Sequence, residues 1–188
     1  MKYAWFLFII TALVNIQCEP PKPRVLLEEE ERVRRRAIRN IEDDINDAWM
    51  HRKYNYKDGE VLTEGNTYLA VYTEIYARSE KRTYPLTATL SIRNTSLTDS
   101  VFINKSEYYD THGELIRTYF DRTIYVAPME TVEIIVGEDN EQGGSGGNFV
   151  FHWATRNPEN KPMFEAVMIS ASGQQGISIM TQGIDIHD

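Results

Sequence analysis

Alternating apolar and polar positions run through the second two thirds of the chain. In the stretch "LTATLSIRN" one side would carry Leu86, Ala88, Leu90 and Ile92. A period of two is typical of a β-strand with one buried face. About eight or nine such segments, separated by turn residues, follow from Tyr68 onward. The pattern predicts an all-β fold, an immunoglobulin-like antiparallel β-sandwich formed by residues 54–188.

Two of these segments predict specific local structure. "SVFINKSEYYD" and "ELIRTYF" flank the short connection "DTHG", which ends in Gly113, and therefore predict a β-hairpin. In "NFVFHWAT", Phe149, Phe151 and Trp153 fall on the same side of a strand. We expect these three side chains to be buried.

The N-terminus follows a different pattern. An apolar run of about a dozen residues after Lys2 is too short to cross a bilayer, which takes about 20, and is typical of a secretory signal peptide, residues 1–17. Cys18 follows it and is the first residue of a proline-rich spacer, residues 18–24. This placement is similar to a bacterial lipoprotein signal and predicts lipidation of Cys18 and export to the cell envelope. The alternative is ordinary secretion.

Residues 25–53 lack Gly and Pro and predict one long, charged amphipathic helix. Its apolar positions step by three and four residues and form a narrow stripe: Ile38, Ile41, Ile45 and Ala48. The stripe is too short to define a coiled coil. Docking on the β-domain and self-association both remain open.

Charge limits the class of partner. The chain of 188 residues has a formal net charge of −8, and the acidity belongs to residues 54–188, where nineteen acidic and ten basic residues give −9. Binding to nucleic acid requires a clustered basic surface. We therefore expect no nucleic-acid partner.

The glycine-rich stretch "GGSGG" does not predict a phosphate-binding loop. Such loops lie between a strand and a helix, and the Walker form adds a lysine. Here the glycines precede the strand "NFVFHW" and no lysine is present. The neighbouring acids do not have the spacing of an EF-hand. We predict a backbone connection, and no cofactor.

The histidines offer one alternative function. No two of His51, His112, His152 and His187 have the spacing of a metal site. Asp110 and His112 lie at the predicted hairpin tip, where turn geometry alone accounts for their residue types. A metal- or ligand-dependent enzyme would require Asp110, His112 and His152 to converge in space. The sequence favours a protein that is not an enzyme.

Several separated segments resemble a known family. "KRTYPLTATLSIRNT", "YYDTHGELIRTY", "GGSGGNFVFHW", "EAVMIS" and "QQGISI" together resemble the uncharacterised bacterial lipoprotein family named domain of unknown function 3124. The resemblance covers roughly residues 68–184. It implies a secreted or lipid-anchored domain, and no catalytic residues.

Tyrosines supply the remaining candidate site. Tyr68, Tyr72 and Tyr76 recur every four residues, which predicts that they share one side of a strand, and Tyr108 and Tyr109 join them in the candidate binding face. Exposed tyrosine suits protein or carbohydrate partners. The competing interpretation is that they merely cover a sheet. The sequence thus favours a non-enzymatic, envelope-anchored binding or scaffolding module, attached to the membrane by a lipid.

Overall fold

The computed structural model describes residues 32–33, 49–60, 62–139, 141–170 and 176–187. The predicted signal peptide, Cys18 and the spacer lie outside these residues, as does most of the predicted helix. Arg32 and Val33 are helical, and so are Trp49 and Met50. After them the chain turns, and Lys53 already forms a β-bridge with Ile124. Within the described residues, no helix is long and apolar enough to cross a membrane.

The described part of the domain is built from β-strands, and every paired strand is antiparallel. This confirms the all-β prediction. The strands are β1 Thr63–Val71, β2 Glu74–Ala77, β3 Ser79–Pro85, β4 Thr87–Arg93, β5 Val101–Tyr109, β6 Leu115–Phe120, β7 Ile124–Val126, β8 Thr131–Val136, β9 Gly147–Thr155, β10 Met163–Ser170, β11 Ile177–Gln182 and β12 Ile184–Ile186. A short 3-10 helix, Glu141–Gly146, precedes β9.

Two sheets form the sandwich. The first sheet has the order β12-β1-β9-β5-β6, with β7 paired to the end of β5, and the second sheet has the order β11-β10-β4-β8. β2 and β3 form a separate hairpin. The rings of Phe151 in the first sheet and Phe164 in the second are stacked, with centroids 4.4 Å apart. The two inward faces therefore share one hydrophobic core.

The alternation in the sequence correctly identifies the inward side chains. Leu86, Ala88, Leu90 and Ile92 are fully buried, and so are Phe149 and Phe151, while Trp153 is almost so. The hairpin around "DTHG" is formed by β5 and β6. Because burial of large apolar side chains dominates folding energetics, the period-two pattern is sufficient to orient these strands.

Trp153 occupies a space that a neighbouring glycine leaves open. Gly65 in β1 pairs directly with Trp153 in β9. A Cβ atom at Gly65 would lie 2.4 Å from the indole ring, which is shorter than any van der Waals contact. The indole N–H donates a hydrogen bond of 2.9 Å to the hydroxyl of Thr67. The ring is thus held flat against the backbone of β1.

The segment before β1 covers one end of the first sheet. Phe102 points away from the core, yet it is buried, because Tyr54 and Tyr56 pack on it at ring-centroid distances of 4.5 and 5.5 Å. Arg156 stacks on the same ring at 4.6 Å and pairs with Glu60. Residues 53–60 are therefore part of the folded domain.

Candidate functional site

The structure separates the three tyrosines that the sequence placed on one strand. β1 ends at Val71, and the backbone N–H and the hydroxyl of Thr73 both donate to the carbonyl of Gly144. Tyr68 lies in β1, Tyr72 packs against the core, and Tyr76 is exposed on the β2–β3 hairpin. The prediction of one continuous strand is wrong, because the hydrogen bonds of Thr73 turn the chain towards residues 143–147, which we call the glycine loop.

Tyr108 is a second correction. It is fully buried, and its ring stacks on Phe149 with centroids 4.5 Å apart. Neighbouring residues of a strand point to opposite faces, so Tyr108 and Tyr109 cannot both line a surface. A β-bulge between Ile103 and Lys105 sets which of them points inward. Burial raises the pKa of Tyr108 to about 12, against a smaller opposing effect of Thr73.

Tyr68 and Tyr109 do share a surface, on the outer side of the first sheet. Tyr68 pairs with Val150, which pairs with Glu107, and Tyr109 is two residues beyond Glu107 in β5. His152 lies two residues beyond Val150 in β9 and points to the same side. We call this surface, formed by Tyr68, Glu107, Tyr109, Val150 and His152, the polar face.

Glu107 is the centre of the polar face. Its carboxylate accepts one contact from Lys105 Nζ at 2.6 Å and one from His152 Nε2 at 3.2 Å. The residue is only 8% exposed. Burial alone would raise the pKa of Glu107, but the hydrogen bonds from Lys105 and His152 outweigh it and lower the pKa below its usual value. Glu107 therefore stays ionised at neutral pH.

The two tyrosines are held by different neighbours. The hydroxyl of Tyr68 donates to the side-chain oxygen of Asn148, whose amide group in turn donates to the carbonyls of Asp110 and Gly146, each at 3.0 Å. Burial raises the pKa of Tyr109, and the carboxylate of Glu107 raises it further. The phenol of Tyr109 is thus neutral at physiological pH, and both rings are partly exposed.

The glycine loop supports one end of this surface. Thr111 donates a hydrogen bond of 3.1 Å to the carbonyl of Gly143, and Gly144 has φ +63° and ψ −157°, a region accessible essentially to glycine alone. A Cβ at Gly143 would overlap the hydroxyl of Tyr108. The glycines therefore allow close packing over Tyr108, as expected for a connection between strands.

The residues of the alternative enzyme do not form one site. The carboxylate of Asp110 accepts hydrogen bonds of 2.8 Å from the backbone N–H groups of His112 and Glu114, which closes its own turn. Asp110 directly follows Tyr109, which pairs with Asn148 in β9. His152 contacts Glu107 instead and lies four residues along β9 from Asn148. That spacing corresponds to about 13 Å. In the part of the chain that the structure describes, no three His, Cys, Asp or Glu side chains are grouped to hold a metal ion.

Sequence reasoning missed Glu107, Lys105 and Asn148. Lys105 and Glu107 are two residues apart, so a strand places them on one side. That spacing was a usable signal for an ion pair. Their contact with His152 depends on the pairing of β5 with β9, which are separated by almost 40 residues of chain.

The part of the chain that matches a known family coincides with the sandwich. Residues 64–186, from the second residue of β1 to the last of β12, match the family described as "Protein of unknown function (DUF3124)". The chain belongs to this family. Residues 53–60, which cover Phe102, precede the matched range.

Two further comparisons add no functional information. No curated protein matches the chain. The crystal structure of Thermotoga maritima 1070 is similar with a TM-score of 0.42 and 8% identity, over 64% of this chain and 92% of that chain. At this TM-score the similarity supports no conclusion about fold or function.

Proposed function

We propose that this family member is a non-enzymatic binding or scaffolding module, exported and held at the bacterial cell envelope by a lipid on Cys18. The observation that supports it is the polar face, where aromatic rings and hydrogen-bonding groups share one partly exposed side of a sheet. We also propose an immunoglobulin-like class for the sandwich, since two antiparallel sheets enclose one core.

The chemistry of the polar face suits a polar ligand, either a protein segment or a carbohydrate of the envelope. Tyr68 and Tyr109 provide flat rings with hydroxyl tips. Lys105 and His152 have partly exposed side chains beside the ionised carboxylate of Glu107. A ligand that brings hydroxyl or amide groups can exchange hydrogen bonds with this cluster and lay apolar carbons on the rings.

The binding proposal is tested by capture from the cell envelope with matched variants. Immobilised wild-type protein, Tyr109→Ala and the control Tyr76→Ala would be compared, with captured proteins and glycans identified by mass spectrometry. Tyr76 is an exposed tyrosine outside the polar face. We expect Tyr109→Ala to lose the ligand and Tyr76→Ala to retain it. Equal capture by all three would contradict the assignment of the polar face.

The anchor is tested separately. Cys18→Ala should move the protein from the membrane fraction to the soluble fraction and abolish incorporation of a labelled fatty acid. Identical fractionation and labelling of the variant and the wild type would contradict lipidation, and leave the polar face unaffected as a binding surface.

A further inference from the structure

Exposed apolar side chains, with one threonine among them, cross the outer face of the second sheet. Met180 in β11 pairs with Val167 in β10, Val167 with Thr89 in β4, and Thr89 with Ile135 in β8. Met180 is 69% exposed and Ile135 is 65% exposed. Ile169, two residues after Val167 on the same side, is also exposed. We call these five residues the apolar row.

The apolar row differs from the scattered exposed apolar residues of ordinary surfaces. Single exposed hydrophobic residues need no explanation, whereas contiguous ones mark interaction sites. The row crosses all four strands, about 14 Å from β11 to β8. The inward residues of the same strands, such as Ile134 and Met168, already form the core. The outward residues are therefore not needed to fill it.

Acidic side chains border the row. The adjacent set of paired residues includes Glu165 and Glu133. Arg93 neutralises Glu165 in an ion pair of 2.5 Å, so the exposed Glu133 carries the negative charge of this set. Beyond the end of β8, Glu138 and Asp139 are exposed as well. An acidic border favours a basic partner.

We propose that the apolar row docks an amphipathic helix of a partner protein, with basic residues flanking the apolar stripe of that helix. A helix with its side chains is about 10 Å wide, so one helix fits across the row. A second copy of this chain would place acidic borders against each other, and an anionic lipid surface would repel them. The basic helix satisfies both the apolar centre and the acidic border.

The test uses the full chain and a synthetic amphipathic peptide of leucine and lysine, labelled for fluorescence anisotropy. We expect the peptide to bind the wild type and to bind the double variant Ile135→Thr, Met180→Thr at least about tenfold more weakly, since two apolar contacts are lost. The matched control is Ile184→Thr. Ile184 is 60% exposed on an edge strand of the first sheet, and its replacement should leave the affinity unchanged.

Charge dependence provides an independent measurement. A peptide with the same leucine stripe and glutamate in place of lysine should bind at least about tenfold more weakly, and added salt should weaken the lysine peptide. Equal affinity of both peptides, or of the wild type and the double variant, would overturn the proposal. Two further results would overturn the proposal: a dimer in sedimentation that Ile135→Thr abolishes, or binding to phosphatidylglycerol vesicles that Ile135→Thr abolishes. Each would assign the row to another occupant.

Discussion

The two outer faces of the sandwich differ in how they are tied to the fold. On the first sheet, Glu107 is buried between Lys105 and His152, and its charge is satisfied by them. On the second sheet, Ile135 extends into solvent from an edge strand. A buried carboxylate requires its partners for stability, whereas an exposed apolar side chain contributes little. The polar face therefore contributes to the stability of the fold, whereas the apolar row contributes little.

The largest expected effect comes from the core beneath both faces. Trp153→Ala should lower the free energy of unfolding by about 3–5 kcal/mol, because a buried indole and its hydrogen bond to Thr67 are lost. Denaturant titration measures this loss. Trp153→Phe, which keeps an aromatic ring, should be less destabilising. A Trp153→Ala variant as stable as wild type would show that β9 does not anchor the core.

The glycine loop should affect the polar face and leave the apolar row intact. Gly144→Val should cost about 1–3 kcal/mol, because its backbone angles exclude a β-branched residue. Thermal unfolding measures this, with Ser145→Ala in the same loop as the control. We expect Gly144→Val to reduce ligand capture at the polar face without changing the affinity of the leucine–lysine peptide. Loss of both together would point to general unfolding.

Glu107 tests whether the polar face stabilises the fold. Glu107→Gln should cost about 1–2 kcal/mol at pH 7, because the ion pair with Lys105 is lost and glutamine keeps only one of the two acceptor oxygens that face Lys105 and His152. The folded-state pKa of Glu107 is lowered, so its contribution is complete above the unfolded pKa, about 4.3, and is lost as the pH falls through the folded value. The free energy of unfolding, measured by denaturant titration at several pH values between 7 and 2 and plotted against pH, should therefore give a flatter curve for Glu107→Gln than for the wild type. Parallel curves would contradict this role.

The smallest effect is expected at the apolar row. Ile135→Thr should change stability by less than about 0.5 kcal/mol, because the side chain faces solvent. Its neighbour Ile134 is 3% exposed and points into the core, and Ile134→Thr should cost about 1–3 kcal/mol by burying a hydroxyl group. Thermal melts of the two variants compare the faces of one strand directly. Similar losses would mean that the apolar row supports the fold.

The sequence predicted the parts of this molecule that depend on local periodicity. Phe149, Phe151 and Trp153 were placed in the core because alternation and apolar character coincide there, and the hairpin at Gly113 followed from its turn residues. Where local pattern and long-range pairing differ, the prediction failed. Tyr72 and Tyr76 were separated from Tyr68 by hydrogen bonds to a loop about 70 residues away.

The candidate site was predicted less well than the fold for a related reason. A bulge changes which residues of β5 face inward, and it moves Tyr108 into the core. The apolar row was not visible either, since Met180, Val167 and Ile135 lie in three strands and become neighbours only through pairing. Two-residue periodicity orients a strand, but the register between strands determines what a surface presents.

Register gives the contact between Gly65 and Trp153 a further meaning. β1 and β9 pair over nine residues, and a slip by two residues would preserve the inward and outward sides of both strands. Such a slip would place Thr63 or Thr67 against the indole ring, where even a Cβ atom has no room. The contact thus discriminates against misaligned pairing of β1 with β9 during folding. A side chain added at position 65 would make alternative alignments competitive, and the polar face, which β1 and β9 help to form, would lose its single arrangement.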